Sequence, residues 1–152
     1  MSVGSLSHVL SCSFVGAAAL FIAAPAALAD PPEWEVPKSC SGTLGTSDDS
    51  ADFKSCIYAY EGALKAFGNL TTKNGASTVE NCTMVVTIID KSASDEVVAS
   101  SDPMPCFNGS YPSPPLTVDK DKVKPGHGYV SFVELTRPGH DPARINSPEL
   151  KP

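Results

Sequence analysis

The sequence predicts a small, disulfide-stapled, all-β sandwich. Two segments of the chain are dense in β-branched residues and alternate in the period of two that strands require, at 83–89 and 129–135. Polar or Pro-Gly turns lie beside both of them. Four cysteines, at 40, 56, 82 and 106, follow residue 30, and an even number of cysteines in a small exported chain is typical of two disulfides.

Residues 1–29 have the features of a secretory signal peptide. No charged residue precedes Asp30, and the apolar stretch from Ser13 ends in Ala27-Leu28-Ala29, a small-x-small cleavage site. The apolar core of about 16 residues is shorter than the ~20 that a membrane-spanning helix needs. We therefore predict cleavage after Ala29, secretion to an extracellular location, and a mature chain with no membrane span.

The charge balance excludes some partners. The chain carries 17 acidic and 11 basic residues, a net charge of −6, and its Lys and Arg residues are not clustered. Nucleic-acid grooves need clustered cations, so we expect no nucleic-acid partner.

The ends of the mature chain are predicted to be irregular. Residues 30–50 are rich in Pro, Gly and Ser and suggest an N-terminal arm tied down at Cys40. Residues 136–152 contain four prolines and suggest a loose C-terminal tail. The sandwich domain is predicted to occupy residues 51–135.

The stretch "FKSCIYAYEGALKAFGNLTT" supports two structures. With helical period, residues 53, 56, 57, 60, 63, 64 and 67 share one face, which gives an α+β alternative with a helix over 53–67. With period two, the same stretch is a hairpin that turns at Glu61-Gly62. Gly62 costs a helix about 1 kcal/mol relative to Ala, and the aromatic residues suit strands, which favours the hairpin.

The segments "CTMVVTIID" and "EVVASS" are predicted to form a second hairpin through the polar connection at 91–95. Folding the chain back there places residue 82 opposite roughly residue 104, within reach of Cys106. This geometry predicts a Cys82–Cys106 disulfide and leaves Cys40 to pair with Cys56. Each bond is expected to stabilise the fold by about 3 kcal/mol.

A later strand, "YVSFVEL", follows the turn "KPGHG". With "SCIYAYEGALKAFGNLTTKNG" and "NCTMVVTIIDKSASDEVVASS", this pattern resembles small exported actinobacterial proteins with an immunoglobulin-like β-sandwich, over most of the chain from Cys56 onward. The resemblance implies an immunoglobulin-like fold and export. It implies no activity, because those proteins have none assigned.

The segment "NCTMV" also resembles the reactive site of the Streptomyces subtilisin inhibitor family. That resemblance implies a secreted serine-protease inhibitor with Cys82 as the anchor, Met84 as the specificity residue and Met84–Val85 as the scissile bond. The chain departs from the family in several respects. Val85-Val86-Thr87 continues directly as a predicted strand instead of a loop, only ten mature residues precede Cys40 where the family has long β segments, and 46 residues follow Cys106 where the family has a short end.

The sequence contains few residues in patterns typical of catalytic or metal-binding sites. The mature chain has two histidines, His127 and His140, both in Pro-Gly turns where we expect solvated side chains. None of the catalytic or phosphate-binding motifs with a known mechanism is present. The cysteine spacings are too wide for a zinc site. We therefore predict no enzymatic activity, no metal and no cofactor.

Three sequons, at Asn69, Asn81 and Asn108, could carry glycans in a eukaryotic secretory pathway. If residues 53–71 form a hairpin, Tyr58 and Tyr60 share one face, which is either a stacking platform for sugars or part of the core. The sequence thus predicts an exported, non-enzymatic binding or interaction module whose partner is an extracellular protein or a carbohydrate. The protease inhibitor is the alternative.

Overall fold

The computed structural model describes residues 38–152; the predicted signal peptide and the first part of the predicted arm, up to residue 37, lie outside the described residues. The described chain contains ten strands and two short 3₁₀ helices, Lys73–Gly75 and Lys91–Ala93. The strands are β1 Lys38–Cys40, β2 Leu44–Gly45, β3 Ala51–Tyr60, β4 Ala63–Thr72, β5 Thr78–Asp90, β6 Glu96–Ser100, β7 Met104–Phe107, β8 Gly109–Val118, β9 Tyr129–Thr136 and β10 Ala143–Asn146.

The strands form two antiparallel sheets of five strands each. In the first sheet β3 pairs with β4 and β4 with β8, while β1 and β2 both pair with the other side of β3. In the second sheet the order is β10, β9, β5, and β6 and β7 both pair with the remaining side of β5. The predicted fold class, a disulfide-stapled β-sandwich, is confirmed.

The ambiguous stretch is a hairpin. Strands β3 and β4 pair from Ala51↔Thr72 to Tyr60↔Ala63, and Glu61 and Gly62 form the two-residue turn between them. Both turn residues have positive φ, 51° and 80°, as a type I′ hairpin turn requires. The alternative helix over 53–67 is therefore wrong, because Gly62 serves the turn and each strand buries one face against the second sheet.

The core lies between the two sheets and is built from alternate residues of their strands. Gly68 on β4 permits the closest approach: a Cβ atom placed there would lie 2.9 Å from the Met84 Sδ atom and 3.1 Å from Val133. The largest fully buried side chains are Tyr129, Phe53, Ile57, Leu64, Leu70, Met84, Ile88, Val86 and Val133.

Both predicted disulfides are present. Cys82 and Cys106 join β5 to β7 with a Cα–Cα distance of 5.3 Å, next to the paired residues Thr83 and Pro105. Cys40 and Cys56 are register partners on β1 and β3, with a Cα–Cα distance of 4.1 Å. The β5–β6 hairpin also forms at the predicted connection, where Ser94 and Asp95 have positive φ.

The predicted arm and tail are more ordered than expected. Residues 38–45 of the arm supply β1 and β2 to the first sheet. The segment predicted as a loose tail instead adds β10 to the edge of β9, and the buried Leu150 forms a two-way backbone pair with Tyr129. The prolines at the ends do not prevent this, because they lie between or beyond the short pairings.

Strand β8 was not predicted, because its sequence "GSYPSPPLTV" contains three prolines. It is the edge strand of the first sheet, where a missing N–H can be tolerated. Its pairing with β4 is interrupted between Tyr111, opposite Gly68, and Leu116, opposite Ala66, so that the prolines lie in an irregular bulge.

Candidate functional site

The outward side of the first sheet carries the best candidate site. Phe53, Ser55 and Ile57 of β3 point into the core, so their neighbours on the strand point away from the second sheet. We call this outward surface the aromatic face. It comprises Lys54, Tyr58 and Tyr60 of β3 and Lys65, Phe67 and Asn69 of β4.

Its three aromatic residues are half-buried, and two of the rings contact each other. Tyr58 and Phe67 meet edge to face, with centroids 6.2 Å apart and planes at 69°. The Lys65 ammonium lies 5.0 Å from the centroid of the Tyr60 ring, within the range of a cation–π contact. These contacts limit rotation of the rings, and the three residues are not fully buried, which is compatible with stacking of a planar ligand.

Polar groups flank the rings. Asn69 lies opposite Lys54, and its side-chain amide donates a hydrogen bond of 2.9 Å to the Ser110 hydroxyl on β8. That bond fixes the amide orientation and leaves its carbonyl oxygen as a possible acceptor. The aromatic face therefore combines partly exposed rings with an oriented amide and two ammonium groups.

The sequence left two roles open for Tyr58 and Tyr60. The hairpin register places both on the aromatic face, and the core-packing role falls to the alternate residues of β3. The other candidate rings are not part of this face. Tyr129 is fully buried, and Phe107 and Tyr111 contact each other with ring centroids 5.6 Å apart. Trp34 lies outside the described residues.

A second polar cluster lies where β5 ends and β9 begins. The fully buried Asp90 accepts hydrogen bonds from His127 Nδ1 at 3.0 and 2.8 Å and from the Ser92 N–H at 3.0 Å. The Lys124 Nζ atom lies 3.7 Å from the same carboxylate. Burial acts to raise the pKa of Asp90, but the His127 hydrogen bonds and charge, the Ser92 N–H and Lys124 outweigh it, so the pKa lies below its ordinary value.

This cluster anchors the loop between β8 and β9. The Tyr129 hydroxyl accepts a 2.8 Å hydrogen bond from the Lys124 N–H, and the His127 and Tyr129 rings stack with centroids 6.5 Å apart. The expectation that His127 is a solvated turn residue is therefore wrong, since its side chain is only 30% exposed and bridges to Asp90. His140 is exposed in its turn, as expected. The contacts of Asp90 serve the turns on either side of it and give it a structural role.

The residues predicted to form a protease-inhibitor reactive site are not on a loop. Met84 is fully buried in the middle of β5, over Gly68, and Val85 is half-buried with Glu134 of β9 as its register partner. A protease needs its scissile bond exposed and projecting, so this geometry offers no support for Met84–Val85 as a reactive site.

The three sequon asparagines are at the surface of the sandwich. Asn69 is half-buried on the aromatic face, whereas Asn81 and Asn108 are exposed. Asn81 has a positive φ of 51°, and the Asn108 side-chain oxygen accepts a hydrogen bond from the Thr72 N–H. Glycosylation of these residues stays a prediction.

Within residues 38–152, no group of three or more His, Cys, Asp or Glu side chains is arranged to hold a metal ion. Over the same residues, no helix has the length and hydropathy needed to cross a bilayer.

Comparison with known proteins adds no relative. Neither the known protein families, nor the curated proteins, nor the solved structures contain a match to this chain.

Proposed function

We propose that the protein is an exported, non-enzymatic carbohydrate-binding module whose ligand lies on the aromatic face. The observation that supports this most directly is that Tyr58, Tyr60 and Phe67 share the outward side of one sheet. Partly exposed aromatic side chains grouped on one side of a sheet are a feature of interaction sites. Pyranose rings present flat C–H surfaces that stack on such side chains, and the neighbouring amide and ammonium groups can bind their hydroxyls.

Export is the second part of the proposal. The predicted signal peptide at 1–29 supports it, and the two disulfides are compatible with an extracellular location because such bonds persist in oxidising compartments. Cleavage after Ala29 would release a chain that begins at Asp30.

The immunoglobulin-like class is also part of the proposal. The neighbour order β3, β4, β8 and β5, β9, β10 corresponds to strands A, B, E and C, F, G of an immunoglobulin domain. The buried Tyr129 at the start of β9, bonded to the upstream Lys124 N–H, matches the tyrosine corner of that fold. Ser131, two residues later, occupies the position of the strand F cysteine of such domains, and its hydroxyl is hydrogen-bonded to Ser55 of β3, one strand away from the strand B position of the disulfide. These features support the resemblance to small exported actinobacterial sandwich proteins.

The test is binding of the purified mature chain to a panel of neutral and acidic polysaccharides, measured by calorimetry and affinity electrophoresis. We expect Tyr60→Ala and Phe67→Ala each to weaken binding at least about tenfold, since truncated aromatic anchors typically cost more than 1 kcal/mol. Phe132→Ala is the matched control. Phe132 is a half-buried aromatic residue under a cation, Arg144, but it lies in the second sheet.

Circular dichroism and thermal melting of each variant would separate lost binding from lost folding. The proposal would be rejected if no polysaccharide bound, or if Phe132→Ala weakened binding as much as the two aromatic-face variants.

A further inference from the structure

The aromatic face is positively charged on an acidic molecule. It carries the cations Lys54 and Lys65, while the whole chain has a net charge of −6. Neither lysine forms an ion pair with any residue in the described part of the chain. Two cations that have no carboxylate partner within residues 38–152 are available to an external anion.

The carboxylates nearest to these lysines are engaged elsewhere or lie at the ends. Asp52, the next outward residue of β3, is 3.2 Å from the Lys73 ammonium, and Asp49 contacts the same ammonium. The hydrogen bond to Asp49 and then the one to Asp52 raise the pKa of Lys73. Both carboxylates are therefore paired with the Lys73 ammonium. Glu61 is exposed in the hairpin turn beyond Tyr60. The middle of the face has no carboxylate among its register pairs.

Rings and cations are interspersed along the face in four rows of register partners. Counted from the hairpin turn, the first row contains Tyr60 and the second contains Tyr58 and Lys65. The third row contains Phe67, and the fourth contains Lys54 and Asn69. At about 3.3 Å per residue, the two lysine rows are roughly 13 Å apart and the whole series spans roughly 20 Å. A straight surface of this length fits an extended chain of several sugar units better than a single sugar.

We propose that the ligand is a linear anionic polysaccharide that lies along β3 and β4, with its sugar rings on Tyr60 and Phe67 and its acidic groups at Lys54 and Lys65. This inference rests on the proposed carbohydrate-binding function and specifies its ligand class. The net negative charge of the molecule favours binding in this one place, because a polyanion is repelled from the rest of an acidic surface.

The experiment uses two pairs of polymers that differ in charge alone: polygalacturonate with its methyl ester, and dextran sulfate with dextran. We expect the mature protein to bind the charged member of at least one pair at least about tenfold more tightly than the neutral member. That advantage should shrink as NaCl is raised from about 50 to about 500 mM, because salt screens exposed charges. The pair that shows it distinguishes carboxylate from sulfate as the acidic group.

The variants Lys54→Gln and Lys65→Gln should each weaken binding of the charged polymer several-fold more than they weaken binding of the neutral polymer, so that the preference for the charged member shrinks. Lys54→Gln is the cleaner of the two, because Lys65 also contacts the Tyr60 ring. Lys91→Gln is the matched control: it removes one exposed positive charge at the end of β5, in the second sheet. It should bind like the unaltered protein.

The possible failures are distinguishable. If charged and neutral polymers bind equally and Tyr60→Ala removes both, the anionic inference is overturned and the carbohydrate-binding function stands. If the charged polymer binds but Lys91→Gln weakens it as much as Lys54→Gln, the charge effect is not located on the aromatic face and the inference is again overturned. If no polymer of either pair or of the wider panel binds, the proposed function fails together with this inference.

Discussion

Within the described part of the chain, Asp90 is the only charged residue that is fully buried. An unpaired carboxylate in that position would be costly, and three neighbours offset the cost: His127, the Ser92 N–H and Lys124. Together these contacts join the end of β5 to the loop that precedes β9. A single carboxylate thus holds two connections of the sandwich in place.

Substitution of this carboxylate should show in the dependence of stability on pH. The pKa of Asp90 is lowered from its ordinary 3.8, so its stabilising contribution is fully present above about pH 4 and is lost as the pH falls through the folded-state pKa. Asp90→Asn removes the charge while keeping an oxygen for the Ser92 N–H. We expect it to lower the free energy of unfolding by about 1–3 kcal/mol at pH 7, measured by urea denaturation.

The difference between Asp90→Asn and the unaltered protein should narrow as the pH is taken from 7 toward 2. Asp48, whose pKa is lowered mainly by the Arg137 hydrogen bond, keeps its own acid dependence in both proteins and does not affect the difference. Asp141→Asn, at an exposed turn carboxylate, should match the unaltered protein throughout. A constant difference at every pH would show that the charge of Asp90 contributes nothing.

No local pattern in the sequence could have found this pair. Asp90 and His127 are 37 positions apart, and they meet because the β5–β9 register places Asp90 opposite Tyr129. The aromatic face was more accessible to prediction, because Tyr58 and Tyr60 follow from strand alternation alone. Which face of β3 is solvated was beyond the sequence, since that depends on where the second sheet packs.

At the scale of elements, prediction succeeded where turn chemistry and periodicity agree. Glu61-Gly62 and the polar residues at 91–95 each join two alternating segments, and both hairpins are present. It failed for β8 and β10, whose pairing is decided by their neighbours. β8 keeps its place at an edge despite its prolines, and β10 is a four-residue strand that exists only against β9.

The Cys82–Cys106 bond fastens β7 to the central strand of the second sheet. Replacing both cysteines by Ala removes a cross-link between positions 24 residues apart, so we expect a loss of about 3 kcal/mol. For a domain of this size that corresponds to a fall in the melting temperature on the order of 10 °C. Thermal unfolding followed by circular dichroism measures it.

The other disulfide provides the comparison. Cys40→Ala with Cys56→Ala removes a link across 16 residues and should cost a similar amount, because the entropy of loop closure changes slowly with length. An unchanged melting temperature for the Cys82/Cys106 variant would mean that β7 is held by its backbone pairing alone.

At the scale of the whole molecule, the sandwich is closed by both ends of the described chain. β1 is linked to β3 by the Cys40–Cys56 bond, and the C-terminal segment covers the edge of β9. The Ser147 hydroxyl also accepts a hydrogen bond of 2.9 Å from the buried Ser131 N–H. The predicted domain limits of 51–135 are therefore narrower than the set of residues that pack together. Those limits were based on the Pro, Gly and Ser content of the two ends, and composition does not indicate whether a short segment pairs with the edge of a sheet.

The docked C-terminal segment gives the final prediction. Leu150 is 7% exposed and joins the core cluster beside Tyr129, so Leu150→Ala should lower the free energy of unfolding by about 2 kcal/mol. Lys151→Ala, at its exposed neighbour, should have almost no effect. A chain that ends at Thr136 should lose more than Leu150→Ala does, because it uncovers the backbone groups of β9 as an open edge. If that shortened chain melts at the temperature of the full protein, the folding unit ends at β9 and the C-terminal pairing is incidental.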